Sequence, residues 1–503
     1  MEILSLLGDG MLVAIQPLNL LLILIGVTLG LFIGAMPGLG SVNGVAILLP
    51  VTFLVPPGSA IIFLAAIYYG AMYGGAISSI TLGIPGASTA VATTFDGRPL
   101  AMMGKARLAL VAAAFGSFIG GTVSNLLFTG FAPLLATVAL SFGPPEIFAL
   151  MLLAFATFVG LGGDDIAKTV FSICFGLVLA TVGFDQVSGA PRLLLFDLKG
   201  FLGGISFLVL AIGVYGIGEM LWTLESTRGK ITTTNADMSV KGIVEDIGET
   251  ARKGWKGTAI GSFLGFFVGV LPAAGATPAS LMSYAITKMV SKNKHEFGKG
   301  HVGGVTAPEA GNNSASTGSM LPMLTLGIPG SPTTAILLGG MVIWGLTPGP
   351  RLFVEEADFV WGLIGSFYVS NVFALLVNIS AIPLFIWMLR MPFTVLAPVI
   401  FVLSIVGGYA AMQDMFDIWL ILVFGFGAFF LRKFDYPLAP AVLAIVLGPI
   451  AEPTLRQSLL LSSGDPSIFF TRPISMPIMV TAIILILLPA LKYLRPRRSR
   501  ASE

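Results

Sequence analysis

The residues best suited to chemistry in this chain are small, polar and uncharged, and they follow four glycine- or proline-bearing motifs. Ser41 and Asn43 come after LGLFIGAMPGLG (29–40), and Ser88 and Thr89 come after ITLGIPG (80–86). Thr277 and Ser280 follow LGFFVGVLPAAG (264–275), and Ser331, Thr333 and Thr334 follow LTLGIPG (324–330). Hydroxyls, amides and the N–H groups at a helix start hold an anion without the cost of a fixed charge. Carbonyls of unwound glycine-rich turns, with amide oxygens, are ligands for sodium. The candidate substrate ligands are Gly38, Gly40, Ser41, Pro85, Gly86, Ser88, Thr89, Gly275, Thr277, Pro329, Gly330, Ser331 and Thr333. The candidate cation ligands are Gly34, Asn43, Gly83, Glu309, Asn312, Asn313 and Gly327. Glu309 has two readings: a carboxylate stabilising a helix N-terminus, or a proton or cation site facing a cavity. No Arg or Lys is expected at the depth of the motifs, so helix ends and co-bound cations must balance an anion.

Other chemistries lack their residues. Cys174 is the single cysteine, which excludes an internal disulfide and a cysteine cluster. His295 and His301 share one polar loop without metal-ligand spacing, and no G-x-x-x-x-G-K-[ST] appears. The formal net charge of +2 offers no basic face for nucleic acid. With no His, Asp, Glu or Cys constellation at the motifs, the chain is expected not to be an enzyme and to need no organic cofactor.

The elements that carry these residues belong in a bilayer. Hydrophobic residues make up 55% and charged residues 10% of the 503, against roughly 25% charged in soluble domains. Residues 10–95, 108–145, 257–287, 310–350 and 359–389 contain no charge, and each run exceeds the ~20 residues of a membrane helix. Full crossings are expected at 106–140, 145–161, 166–184, 200–222, 358–390, 392–411, 416–431, 436–452 and 475–494. The start MEILSLLGDGM has no basic n-region, so no cleaved signal peptide is expected. Lys492, Arg495, Arg497, Arg498 and Arg500 place the C-terminal tail in the cytoplasm. Counting back puts 96–107, 223–256 and 288–301 on the same face, with Arg192, Lys199, Arg351, Arg456 and Arg472 outside. The stretch 241–256, with Ile243, Ile247, Ala251 and Trp255 every fourth residue, reads as an interfacial amphipathic helix or a solvated connector.

The motifs repeat in order. Gly30, Gly34, Pro37 and Gly40 match Gly265, Gly269, Pro272 and Gly275 at an offset of 235, and TLGIPG at 81–86 matches 325–330 at 244. About fifteen apolar residues on each side of 272–275 are too few for two crossings at ~1.5 Å per residue, so a re-entrant hairpin is expected there, and another at 18–55. The hairpins are expected to enter from opposite faces. Leu-Gly-Ile-Pro-Gly is expected to break a helix, because proline removes a donor and glycine weakens the helix. The fold class expected is an all-α polytopic membrane protein of two inverted-topology repeats, each with a re-entrant hairpin and a broken transmembrane helix. The divisions are 1–222, first repeat; 223–256, cytoplasmic connector; 257–494, second repeat; 495–503, basic tail. This is the pattern of a secondary transporter with a central site. A passive anion channel or pore is the alternative, since paired re-entrant hairpins also occur there.

GAMPGLG (34–40), TLGIPG (81–86) and APEAGNNSASTGSMLPMLTLGIPG (307–330) resemble the large membrane subunit of the bacterial tripartite tricarboxylate transporter family. Gly311 stands where that family often has alanine, and PAAGAT at 272–277 is looser than its first-half counterpart. The resemblance implies an inner-membrane, multi-pass permease acting with a small integral membrane subunit and a periplasmic solute-binding protein. It implies uptake of tri-, di- or aromatic carboxylates driven by sodium or protons, and an elevator motion.

Overall fold

The computed structural model describes residues 2–36, 39–161, 165–185, 190–193, 199–226, 240–272, 274–388 and 393–494. Gly38 and neighbouring Pro37, part of the connector (227–239) and the tail 495–503 lie outside the described residues. The chain is helical almost throughout. In order come α1 (Glu2–Ala14), α2 (Pro17–Ala35), α3 (Gly40–Leu48), α4 (Pro57–Thr81), α5 (Val91–Met102), α6 (Ala106–Ala139), α7 (Pro144–Leu161) and α8 (Ile166–Ala180). A two-residue antiparallel ladder, β1 (Gly183–Phe184) with β2 (Pro191–Arg192), leads to α9 (Phe207–Ala211), a π-helical stretch (Ile212–Gly218) and α10 (Glu219–Ser226). Then follow α11 (Val240–Val270), α12 (Ala276–Val290), α13 (Gly303–Leu326), α14 (Pro332–Ile343), α15 (Leu352–Glu355), α16 (Ala357–Met388), α17 (Phe393–Met412) and α18 (Met415–Lys433). The last are α19 (Ala439–Leu461), α20 (Ile468–Thr471) and α21 (Ser475–Leu494).

Among the described residues seven helices are long and apolar enough to cross a membrane: 17–35, 57–81, 106–139, 207–225, 357–384, 415–433 and 439–461. Five of them match expected crossings. The crossings expected at 145–161, 166–184, 392–411 and 475–494 fall on shorter apolar helices (Pro144–Val159, Ile166–Ala180, Ala397–Val406, Ser475–Leu487).

The chain forms two compact units, 1–140 with 206–430, and 141–205 with 431–503. All four motifs are in the first unit, and both units draw on both halves of the chain. In the first, α2 runs along α4 and α11 along α13, and α13 also packs on α6. The glycines allow this. A Cβ on Gly26, Gly30 or Gly34 would lie 2.8, 2.2 or 2.2 Å from the carbonyl oxygens of Phe63, Ile67 and Ala71. A Cβ on Gly261, Gly265 or Gly269 would lie 2.3, 2.4 or 2.4 Å from those of Ala307, Gly311 and Ala315. Every glycine and every carbonyl in one set has its counterpart in the other at the sequence offsets 235 and 244, so the repeat extends to the packing. In the second unit α7 packs on α21 and α19 on α8. There a cleft of about 350 Å³ is lined in part by Asp185, Arg192 and Glu452.

Two local features go beyond the expectations. The stretch 241–256 is helical and runs without a break into the apolar residues that follow, as the first half of the 31-residue α11. No proline separates Lys256 from the apolar run, and Gly254 and Gly257 pack on Thr306 and Gly303, so nothing stops the helix. The breaks are also more than interruptions. After Thr81 the chain turns at Gly83 (φ +75°) and doubles back, so that Ser79 Oγ donates to Ala90 O at 3.1 Å. After Leu326 it turns at Gly327 (φ +71°), and the Gly330 N–H donates to Ser319 O at 3.2 Å. Left-handed glycines end helices in this way.

Candidate functional site

The two turns between hairpin helices and the two doubled-back segments converge. Gly40 (φ +64°) and Gly275 (φ +70°) open α3 and α12 in the left-handed region. A Cβ on Gly40 would lie 3.1 Å from Ala87 Cβ, and the Gly275 N–H donates to Gly330 O at 2.9 Å. Each turn thus meets the break of its own half. Each also meets the break of the other half: Ser41 Oγ bonds Thr333 Oγ1 at 2.9 Å, and Ser88 Oγ bonds Thr277 Oγ1 at 2.9 Å. Gly86 fits only without a side chain, since its Cβ would lie 2.0 Å from Gly34 O. The two cross-half contacts differ in exposure. Ser41 and Thr333 are buried, whereas Ser88 is exposed and Thr277 half-buried.

The remaining candidates divide by role. Ser331 is the N-cap of α14 in a capping box with Thr334: its Oγ accepts from the Thr334 N–H at 3.2 Å, and its own N–H donates to Thr334 Oγ1 at 2.8 Å. Tyr68 Oη lies 3.2 Å from the same Ser331 hydroxyl. Pro85 and Thr89 are half-buried in the first break, and Pro329 is buried in the second. Asn43 is buried on α3. Gly83 lies against the Arg98 side chain, whose Nη1 donates to Thr81 O at 2.5 Å. This corrects the expectation of no cationic side chain near the motifs. Because the chain doubles back, α5 runs beside the end of α4, and a residue distant in sequence reaches the carbonyl end of that helix, where positive charge is favoured.

A second polar group lies on α13. Glu309, Asn312 and Asn313 are fully buried. Glu309 is the seventh residue of α13, not its cap, because the helix starts at Gly303. Its carboxylate accepts from Thr93 Oγ1 of α5 and, at 3.0 Å, from Ser117 Oγ of α6. Asn313 Nδ2 donates to Ser117 Oγ at 2.8 Å and to Glu309 O at 3.1 Å. Asn313 Oδ1 and Asn312 Nδ2 have no hydrogen-bond partner among the described residues.

A family model described as "Tripartite tricarboxylate transporter TctA family" matches residues 20–443. The chain belongs to the TctA family. A relative from Agrobacterium vitis, the "Uncharacterized 52.8 kDa protein in TAR-I ttuC' 3'region", is 36% identical over 500 residues, covering 99% of both chains. A second, the "Uncharacterized protein in TAR-II ttuC' 3'region" of the same organism, is 36% identical over 236 residues, 47% of this chain and 98% of its own. No solved structure matches. This TctA chain is thus a multi-pass membrane protein of a transporter family.

Several buried polar residues near this candidate site carry no signal in the sequence motifs. Tyr69 Oη donates to Asn125 Oδ1 at 2.6 Å and lies 2.5 Å from Thr317 Oγ1, and Tyr73 Oη donates to Asn371 Oδ1 at 2.6 Å. The wider repeat carries one, because at offset 244 Tyr68 and Tyr69 align with Asn312 and Asn313. Asp96 is buried and accepts from the N–H groups of Gly298, Gly300 and His301 at 2.9, 2.8 and 2.7 Å and from Tyr284 Oη at 3.0 Å. Burial holds the His301 imidazole below its ordinary value, and its Nδ1 accepts from the Gly303 N–H. Arg107 pairs with Asp246 at 2.7 Å. The three charged segments expected on one face, 96–107, 223–256 and 288–301, therefore meet.

Proposed function

We propose that this chain is the large permease subunit of a tripartite system that takes up organic carboxylates into bacteria with a sodium or proton gradient. The observation that carries this reading is the convergence of the four glycine motifs, with each hairpin turn in contact with its own break and hydrogen-bonded to that of the other half. Non-helical backbone inside a bilayer is tolerated only where protein or a cavity covers it. Two such pairs in one place match a central transport site. On this reading Gly40, Ser41, Gly86, Ser88, Gly275, Thr277, Gly330 and Thr333 surround the carboxylates. Glu309, Asn312 and Asn313, joined by Thr93 and Ser117, take the coupling ion, because a buried carboxylate with hydroxyl partners is balanced by a proton or a cation. The hairpins are re-entrant and enter from opposite faces, and the contacts of Asp96 and Arg107 support a common cytoplasmic face for the charged segments. A small membrane subunit and a periplasmic binding protein complete the system in the inner membrane.

Uptake by proteoliposomes tests it. The chain, reconstituted with the small subunit and the binding protein of its system, should accumulate radiolabelled citrate or another carboxylate of a panel above the external concentration. Accumulation should stop when the sodium and proton gradients are collapsed. Equilibration that ignores both gradients would instead establish a passive pore.

A further inference from the structure

Glu309 receives its two hydroxyl donors from different kinds of element. Ser117 lies within α6, a 34-residue helix that contains neither a hairpin turn nor a break. Thr93 is the third residue of α5, directly after the 3-10 turn Ser88–Ala90 that returns from the first break. Four residues separate Thr93 at the buried carboxylate from Ser88, which reaches Thr277 across the turn of the second hairpin at 2.9 Å. The link between them is stiff. A β-branched side chain in a helix has few χ1 states, so a displacement at Thr93 Oγ1 passes to the backbone. Ala90 is seated on α4, where a Cβ on Gly75 would lie 3.0 Å from Ala90 Cβ and Ser79 Oγ donates to Ala90 O. On α13 beside Glu309, Asn313 Oδ1 and Asn312 Nδ2 are buried and have no hydrogen-bond partner among the described residues.

We propose that Thr93 is a positioning residue that couples cation occupancy at Glu309 to the conformation of the first break, setting Ser88 for substrate. This rests on the reading of Glu309, Asn312 and Asn313 as the coupling-ion site. A cation or proton on the carboxylate changes what the Thr93 hydroxyl faces, from an acceptor of its hydrogen to a positive charge or a competing donor. Thr93 answers by shifting the start of α5, and Ser88 moves with it. Ser117 senses the same ion but has no break to move. Because coupling between sites is reciprocal, a carboxylate held by Ser88 tightens the ion at Glu309 by the same factor.

The test reads Ser88 without needing the substrate. In full-length protein with Cys174→Ser, the single substitution Ser88→Cys is labelled with N-ethylmaleimide while sodium replaces choline at constant ionic strength, and separately while pH is stepped. The labelling rate should change at least about fivefold and saturate with the ion, in line with ordinary coupling energies. Thr93→Val should abolish the change, and Thr93→Ser, which keeps the hydroxyl, should restore it. Ser117→Ala should move the midpoint to higher ion concentration while keeping the full change. If Thr93→Val does not fold, Thr93→Ala takes its place. A full response in the folded Thr93 variant overturns the role of Thr93 and leaves the ion site standing. No response to either ion in the parent protein overturns the ion site as well.

Discussion

At the scale of the residue, the glycines of the paired helices act as absences of side chain. A Cβ on Gly30 would lie 2.2 Å from Ile67 O, and one on Gly265 would lie 2.4 Å from Gly311 O. Both obstacles are backbone, so α2 and α4, or α11 and α13, would have to separate. Gly30→Ala and Gly265→Ala should each cost about 1–3 kcal/mol as overpacking. Gly130→Ala is the contrast, because nothing lies within 4 Å of its Cβ position on α6. It should gain up to about 1 kcal/mol from helix preference. Thermal unfolding of the purified variants measures both, and a neutral Gly30→Ala would mean that α2 and α4 are not this close. These glycines were visible in the sequence because they recur at a fixed offset. Thr93 and Ser117 were not, since a threonine or serine in an apolar run gives no sign of a carboxylate on another helix.

At the scale of the element, α5 concentrates what the sequence could not show. The break before it was legible in Leu-Gly-Ile-Pro-Gly, but residues 96–102 read as part of the charged segment 96–107, and the direction of α5 depends on the doubling back at Gly83, a backbone angle that the motif permits and does not specify. That direction places Thr93 on Glu309, Asp96 under the 298–301 loop and Arg98 at the end of α4. Asp96 gives the element-scale prediction. A carboxylate accepting three N–H groups is stronger than a neutral acceptor, and hydrogen bonds to charged groups are worth about 1.5–3 kcal/mol each. Asp96→Asn keeps the shape and removes the charge, so the loop should open locally without global unfolding. Amide exchange at Gly298, Gly300 and His301 should quicken by about tenfold or more, while α16 keeps its protection. Unchanged exchange at these three amides would show that the loop is held by its own turns.

At the scale of the molecule, the hydropathy reading of a multi-pass protein and the ordered repeat were legible, but the partition into units was not. The sequence divides at 223–256, whereas each compact unit takes segments from both sides of it. Contacts between segments far apart in the chain decide this, and hydropathy is blind to them. In the second unit, Arg192 and Arg456 are joined to Asp185 and Glu452, and Arg472 to Glu146, which accounts for three of the five basic residues expected outside. The hydrogen bonds it donates to Asp185 and then Glu452 hold the Arg192 guanidinium above its ordinary value. The proposal that the two hairpins are re-entrant from opposite faces makes the prediction at this scale. Leu54, 85% exposed at the base of the first hairpin, and Lys292, exposed at the base of the second, lie where the two proposed entrances would be. In a Cys174→Ser background, Leu54→Cys should react with a membrane-impermeant maleimide in cells whose outer membrane alone is permeabilised. Lys292→Cys should react only after the inner membrane is opened. Reaction of both from the same side would make the repeats parallel, and the transport site would then be reached by two hairpins from one face.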